Sequence, residues 1–245
     1  MKIQSINLPD ILFLDIETVP GFENFDMLSP EMQKEFESKS SYQRNNTGQE
    51  EIPAGEYYRS HGGIWAEFGK IICVSAGFFS SAQGNVFRLR SFTGDEKDIL
   101  NDFAKLLNTY YNDQNKYLCA HNGKEFDFPY IARRMIIHGI ELPGTLNLFG
   151  KKPWEVQHLD TMELWKFGDR KHYTSLSLLT RILGIPSPKT DLDGSMVADV
   201  FYREHDLERI ITYCEKDTVA VAQIFLRYRN MELLQPENII YTGKK

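Results

Sequence analysis

Near its start the chain carries Ile11-Leu12-Phe13-Leu14-Asp15-Ile16-Glu17, apolar at nearly every position. This is the pattern of a central strand covered on both faces. Thr18, Val19, Pro20 and Gly21 are expected to close it. Lys70 to Phe79 and Asn85 to Phe92 read as two strands joined by the Ser80–Gly84 loop, a hairpin. From Asp95 to Tyr111 apolar residues recur at 99, 100, 103, 106, 107 and 110, the spacing of an amphipathic helix. Short strands are expected at Tyr117–Ala120 and Val156–Leu159, with a helix at Glu125–His138. Helices follow at about Ser175–Leu183, Ser195–Glu204 and Asp206–Met231, broken by Gly184, Pro186 and Pro188. A hairpin, then strand–helix alternation, then helices implies an α/β architecture, with a mixed sheet and helices on its faces in one domain.

Between Pro20 and Gly63 the pattern lapses. Ser29-Pro30-Glu31 suits a helix start, with Ser29 as N-cap and Pro30 at the first helical position. The rest is rich in Ser, Asn, Gln and Glu and has little to bury, so a mobile flap or a docking segment is expected.

Composition changes this picture little. The 245 residues are 42% hydrophobic and 25% charged, ordinary for a folded globular protein and outside the range of disorder. No apolar stretch approaches a membrane span, and the N-terminus lacks the apolar region of a signal peptide. Cys73, Cys119 and Cys214 sit in apolar stretches without a CxxC, which suits buried, reduced thiols rather than disulfides or zinc. A cytoplasmic protein with no membrane partner is expected. The net charge of −6 argues mildly against gripping a nucleic acid backbone mainly by charge. A carboxylate cluster holding two divalent cations would offset part of that excess locally.

Four carboxylates stand out. Asp15 and Glu17 share a strand face with Ile11 and Phe13. Like charges so close raise each other's pKa unless a cation holds them ionised; past the strand end they would simply be solvated. Asp127 closes His121-Asn122-Gly123-Lys124-Glu125-Phe126-Asp127, where an Asp also suits a helix cap. Ile210, Tyr213, Asp217, Val221 and Ile224 form one helix stripe, most of it apolar. An ionised Asp217 there is costly unless it is paired or metal-bound, and an edge position bonded to a tyrosine or arginine is the alternative.

Asp15-Ile16-Glu17, Asn122-x-x-x-Phe126-Asp127 and Tyr213-x-x-x-Asp217, in that order, resemble the three exonuclease motifs of the DEDD superfamily in its tyrosine branch. The first two look most like the proofreading exonuclease domain of family B DNA polymerases. The resemblance implies a ribonuclease H-like fold, its first strand central and its second antiparallel to the first. It implies hydrolysis from a 3′ end that releases 5′-mononucleotides, by a free-standing relative of that domain. It further implies two divalent cations, Mg²⁺ or Mn²⁺, with Asp15, Glu17 and Asp217 on the first. Asp15 would also bind the second, with Asp127 acting on it mostly through water. Tyr213 would aim the attacking water. Thr18, Asn122 and Phe126 are the substrate-contacting candidates, and Phe126 also suits a core anchor that places Asp127. The expected partner is a nucleic acid with a single-stranded 3′ end, DNA favoured over RNA. A ribonuclease D-type RNA exonuclease and a non-catalytic nucleic-acid-binding module are the competing readings. Lys166, Arg170, Lys171 and His172 form one basic patch, Lys151 and Lys152 a smaller one; both suit either solvated surface or phosphate contact. Asp160 suits a cap or a residue supporting the cluster, with a metal ligand as the alternative.

Overall fold

The computed structural model describes residues 3–81, 86–169, 173–186 and 191–243. Alternation in the first strand organises the whole. β1 (Ile11–Pro20) sends Leu12, Leu14 and Ile16 to one face, where α3 (Glu96–Tyr110) and α4 (Asp127–Ile137) cover them. Ile11 and Phe13 point to the other face and pack on Val221 and Phe225 of α8 (Leu207–Tyr228). The Phe13 and Phe225 rings meet edge-on at 5.7 Å. Each face of β1 thus removes apolar surface from water, the main force holding the layers together.

The sheet has six strands in the order β5 (Leu159–Asp160), β4 (Tyr117–Ala120), β1, β2 (Gly69–Phe79), β3 (Phe87–Thr93) and β6 (Ile239–Tyr241). β2 (Gly69–Phe79) runs antiparallel to β1 and pairs with β3 (Phe87–Thr93) as the expected hairpin. β4 (Tyr117–Ala120) lies parallel on the other side of β1, so β1 is central.

Several expectations need correction. β1 runs on to Pro20 because β2 continues to pair with it past a register shift at Glu17/Thr18. β5 is only Leu159–Asp160, since the preceding residues enter it from a 3₁₀ turn at Pro153–Glu155. β6 (Ile239–Tyr241), an edge strand parallel to β3, lacks the buried pattern that would reveal it. The helix expected at 125–138 begins at Asp127. The one expected at 195–204 is a short α7 (Val197–Asp199) followed by a π-helical turn at Val200–Glu204. α6 (Leu176–Ile182) and α8 carry Ser175 and Asp206 as N-caps.

The largest correction is the 20–63 insertion. α1 (Pro30–Thr47) starts as expected, Ser29 accepting a bond from the Met32 N–H, and α2 (Ala54–His61) follows. These helices build an aromatic core of their own. Phe36 is fully buried against Phe25, Tyr58, Trp65 and Phe68, with ring centroids 5.0–5.7 Å apart. Arg44 is buried with them and bonds Glu37 at 2.6 Å and the Ile52 carbonyl. The three thiols are free and buried. Among the described residues no helix is long and apolar enough to cross a membrane.

Candidate active site

All eight residues singled out for chemistry line one cleft of about 510 Å³: Asp15, Glu17, Thr18, Asn122, Phe126, Asp127, Tyr213 and Asp217. Four local structures bring them there. On β1 the face that buries Ile11 and Phe13 continues as Asp15 and Glu17, where the apolar cover of α8 gives way to the cleft. Tyr213 and Asp217, one turn apart on α8, border the same space. Asp127 opens α4, and the backbone N–H groups of Asp127 itself and of Ile16 bind its carboxylate.

The second motif is held in shape by Asp160. Its carboxylate accepts the N–H groups of Asn122 (3.0 Å) and Lys124 (3.1 Å), and caps α5 (Thr161–Trp165) through Met162 and Glu163. Asn122 adopts φ 63, a left-handed conformation that Asn tolerates better than most residues. Gly123 has no room for a side chain: a Cβ would stand 2.4 Å from the Ala120 Cβ. The Asn122 Oδ1 is buried without a hydrogen-bond partner. Phe126 packs on Tyr130 with centroids 5.3 Å apart while it borders the cleft. The Thr18 hydroxyl is already engaged, donating to the Gly63 carbonyl at 2.8 Å, so it ties β1 to the insertion.

The electrostatics are those of crowded acids. Burial, then Glu17, Asp217 and Asp127, push the Asp15 carboxyl well above its usual range. Glu17 is only 7% exposed and is raised by burial, Asp217, Cys73 and Asp127. Asp127 is pushed up to about 7 by burial and by Asp160. Burial takes Asp217 to about 6, with Tyr213 and Lys216 pulling the other way. Burial and the nearby carboxylates raise the Tyr213 phenol far above its ordinary value, so it remains protonated. The Asp15 Oδ2 is buried with no hydrogen-bond partner. Hard oxygen donors crowded together with one buried oxygen left unpartnered fit a hard divalent cation.

The tightest cluster differs from the expected one. Donor atoms of Asp15, Glu17 and Cys214 lie within 4.8 Å of one another, while Asp127 and Asp217 border the same cleft outside that trio. Cys214 also donates its S–H to the Asp15 carbonyl at 3.4 Å. Its place next to Tyr213 in sequence was the available signal. Arg59 of α2 lines the cleft and is the sole Lys or Arg among its described lining residues; nothing in its polar surroundings in sequence pointed to it. His121 and Tyr173 line it too. Of the basic patch, Arg170, Lys171 and His172 lie outside the described residues.

Comparison with known proteins agrees with this architecture. A DNA polymerase of Pyrococcus glycovorans is 23% identical over 150 residues, covering 56% of this chain and 19% of that protein. The family B DNA polymerase of Pyrobaculum calidifontis superposes with a TM-score of 0.53 at 14% identity, over 88% of this chain and 24% of that one. The chain thus spans about a fifth to a quarter of the length of these relatives. The ribonuclease H-like fold expected from the motifs stands. Residues 64–238, the larger part of the chain, match a family described as a predicted 3′–5′ exonuclease related to the exonuclease domain of PolB, and the chain belongs to that family.

Proposed function

We propose that this protein is a metal-dependent 3′–5′ exonuclease that hydrolyses DNA from its 3′ end and releases 5′-mononucleotides. One observation carries the reading: four carboxylates and a tyrosine from three remote stretches border a single cleft, with a buried Asp15 oxygen left unpartnered. Such a cluster is unstable as a set of anions and makes sense as a cation site.

Asp15, Glu17 and Asp217 would hold one divalent cation; Asp15 would share the second, with Asp127 engaging it mostly through water. When bound, such a pair activates the attacking water and neutralises charge on the leaving 3′ oxygen. The chain's own groups do the rest. Tyr213 keeps its proton and orients the water by a hydrogen bond, a positioning rather than a basic role. Arg59 meets the phosphate from the insertion side of the cleft. Asn122 and Phe126 line the part of the cleft where the terminal nucleotide would lie. Thr18 acts by its place in the wall, its hydroxyl being spent on Gly63.

The test is hydrolysis of 5′-end-labelled single strands, DNA and RNA in parallel, with Mg²⁺ or Mn²⁺ and with chelator. Stepwise loss of 3′ nucleotides, faster on DNA and abolished by chelator, is expected. Intact 3′ ends on both polymers with both metals would refute the reading, and faster RNA trimming would move the substrate to RNA.

A further inference from the structure

We propose that the groove beside the cleft is the track for the single strand upstream of the terminal nucleotide, held by cations at its walls and by exposed aromatic rings adjoining those walls in the chain. The proposal rests on the exonuclease reading and extends it to the body of the substrate.

The groove has a volume of about 820 Å³, and its lining includes Lys124, Arg133, Leu148, Lys151, Pro153 and Lys166. It shares a wall with the cleft. In the short stretch from His121 to Phe128, His121, Asn122, Phe126 and Asp127 border the cleft, whereas Lys124, Glu125 and Phe128 border the groove. Asp160, itself a groove residue, clamps both the Asn122 and the Lys124 N–H and so stiffens that wall. A strand leaving the cleft over this shared wall would enter the groove.

The charges in the groove are unequally engaged. Lys124 pairs with Glu163 at 2.6 Å, and the buried Asp160 carboxylate is engaged by four backbone N–H groups. Glu125 and Asp169 also line the groove. Lys151 and Lys166 make no ion pair with a described carboxylate and are placed to meet phosphates, whereas Arg133 also acts on the Glu67 carboxylate, which it helps to hold below its usual range.

The aromatic residues are the stronger signal. Phe149, Trp154 and Phe167 are 74%, 76% and 89% exposed; they stand outside the groove lining, each next in the chain to a residue that belongs to it, Leu148, Pro153 and Lys166. Burial explains none of them. Local backbone preference does not explain Phe167 either, because its φ of 44 lies in a region that bulky side chains avoid. The Lys152 ammonium stands 5.3 Å from the Trp154 ring centroid, and Trp165 packs edge-on to Phe167 at 6.4 Å, so both rings are braced while they face solvent. Braced rings beside cations suit unstacked bases and a phosphate backbone without sequence preference. A duplex hides its base faces, so the occupant is a single strand.

The test compares a long oligothymidylate with a thymidine dinucleotide, using hydrolysis in Mn²⁺ and binding to the long strand by anisotropy in chelator. The Trp154→Ala/Phe167→Ala double variant should weaken long-strand binding and raise its KM about tenfold. The Lys151→Ala/Lys166→Ala variant should lower the salt dependence, the slope of log affinity on log salt, by about 1.4. Both should keep the wild-type melting temperature and dinucleotide kcat/KM. Variants that bind the long strand as wild type does, with an unchanged salt slope, would overturn the track and leave the face to a protein partner. Wild-type protein that cleaves neither substrate would refute the exonuclease reading instead, while chelator binding would still report on the groove.

Discussion

Glu17 and Glu96 are buried alike, 7% and 8% exposed, in opposite surroundings. Burial alone would raise Glu96, but Arg134, the Ile71 N–H and His138 more than offset it, and its pKa falls below the usual range. The Arg134 Nε lies at 2.8 Å, the Ile71 nitrogen at 2.7 Å and the His138 Nε2 at 2.7 Å. Glu17 is surrounded by further acids, by the Cys73 and Cys214 thiols and by the Tyr213 phenol, none of them a cation, and its pKa rises. The Glu96 network completes itself and ties α3, α4 and β2 together. The Glu17 cluster needs something the chain does not supply. The comparison shows that burial of an acid marks no function; the sign of its neighbours does.

The largest effect that could break this contrast comes from the cluster. Asp15→Asn should cut exonuclease activity by at least about a thousandfold. The same change should raise metal-free stability, because Asn escapes the cost of burying a charge or taking up a proton among the other acids. Thermal melting with chelator measures the second effect, and a variant less stable than wild type would contradict the account. Glu96→Gln should do the reverse, costing about 3–5 kcal/mol of stability by stranding Arg134, with activity retained in whatever remains folded. Denaturant titration measures it.

Added Mn²⁺ sharpens the contrast further. At about a hundred times its Kd it should stabilise wild type by about 2.7 kcal/mol and Asp15→Asn much less, while Glu96→Gln keeps the wild-type increment. Tyr213→Phe should lower kcat by about tenfold to a hundredfold and leave the Mn²⁺-induced melting shift intact.

Acidity separates the two regions most gently. Asp127 and Asp217 have native pKa values of about 7 and about 6 against 3.8, so the metal-free native chain holds protons that the unfolded chain releases. Its stability should therefore fall as pH rises from about 4 to about 7, and Mn²⁺ should flatten that slope. Glu96 has the other sign. Its contribution is full above the ordinary value of 4.5 and is lost as pH falls through its lowered native value. Melting temperatures across pH, with and without Mn²⁺, measure both.

The parts of the fold and site that were legible in sequence carry a strong local pattern. The continuous apolar run marks β1, whose side chains alternate as in any strand, so Asp15 and Glu17 could be assigned to the Phe13 face, and the α8 stripe aligned Tyr213 with Asp217. Their convergence came from the motif resemblance, since neither pattern says which elements meet. The insertion core was illegible because its apolar residues are isolated: Phe36 stands among polar neighbours on α1 and finds its partners Phe25, Tyr58 and Phe68 only in three dimensions. Arg59 entered the cleft from that same unread segment. Cys214 reads as a core thiol, and it is buried as one; that its sulfur also faces the carboxylates depends on the packing of α8 on β1.

The central claim is that the acids of this cleft exist to hold divalent cations at a 3′ end. A crystal of the protein with Mn²⁺ and a nucleoside 5′-monophosphate tests it most directly by anomalous scattering. The account predicts manganese peaks bonded to Asp15, Glu17 and Asp217, with the phosphate of the nucleotide beside them. Manganese bound elsewhere, with none at Asp15 and Glu17, would contradict it.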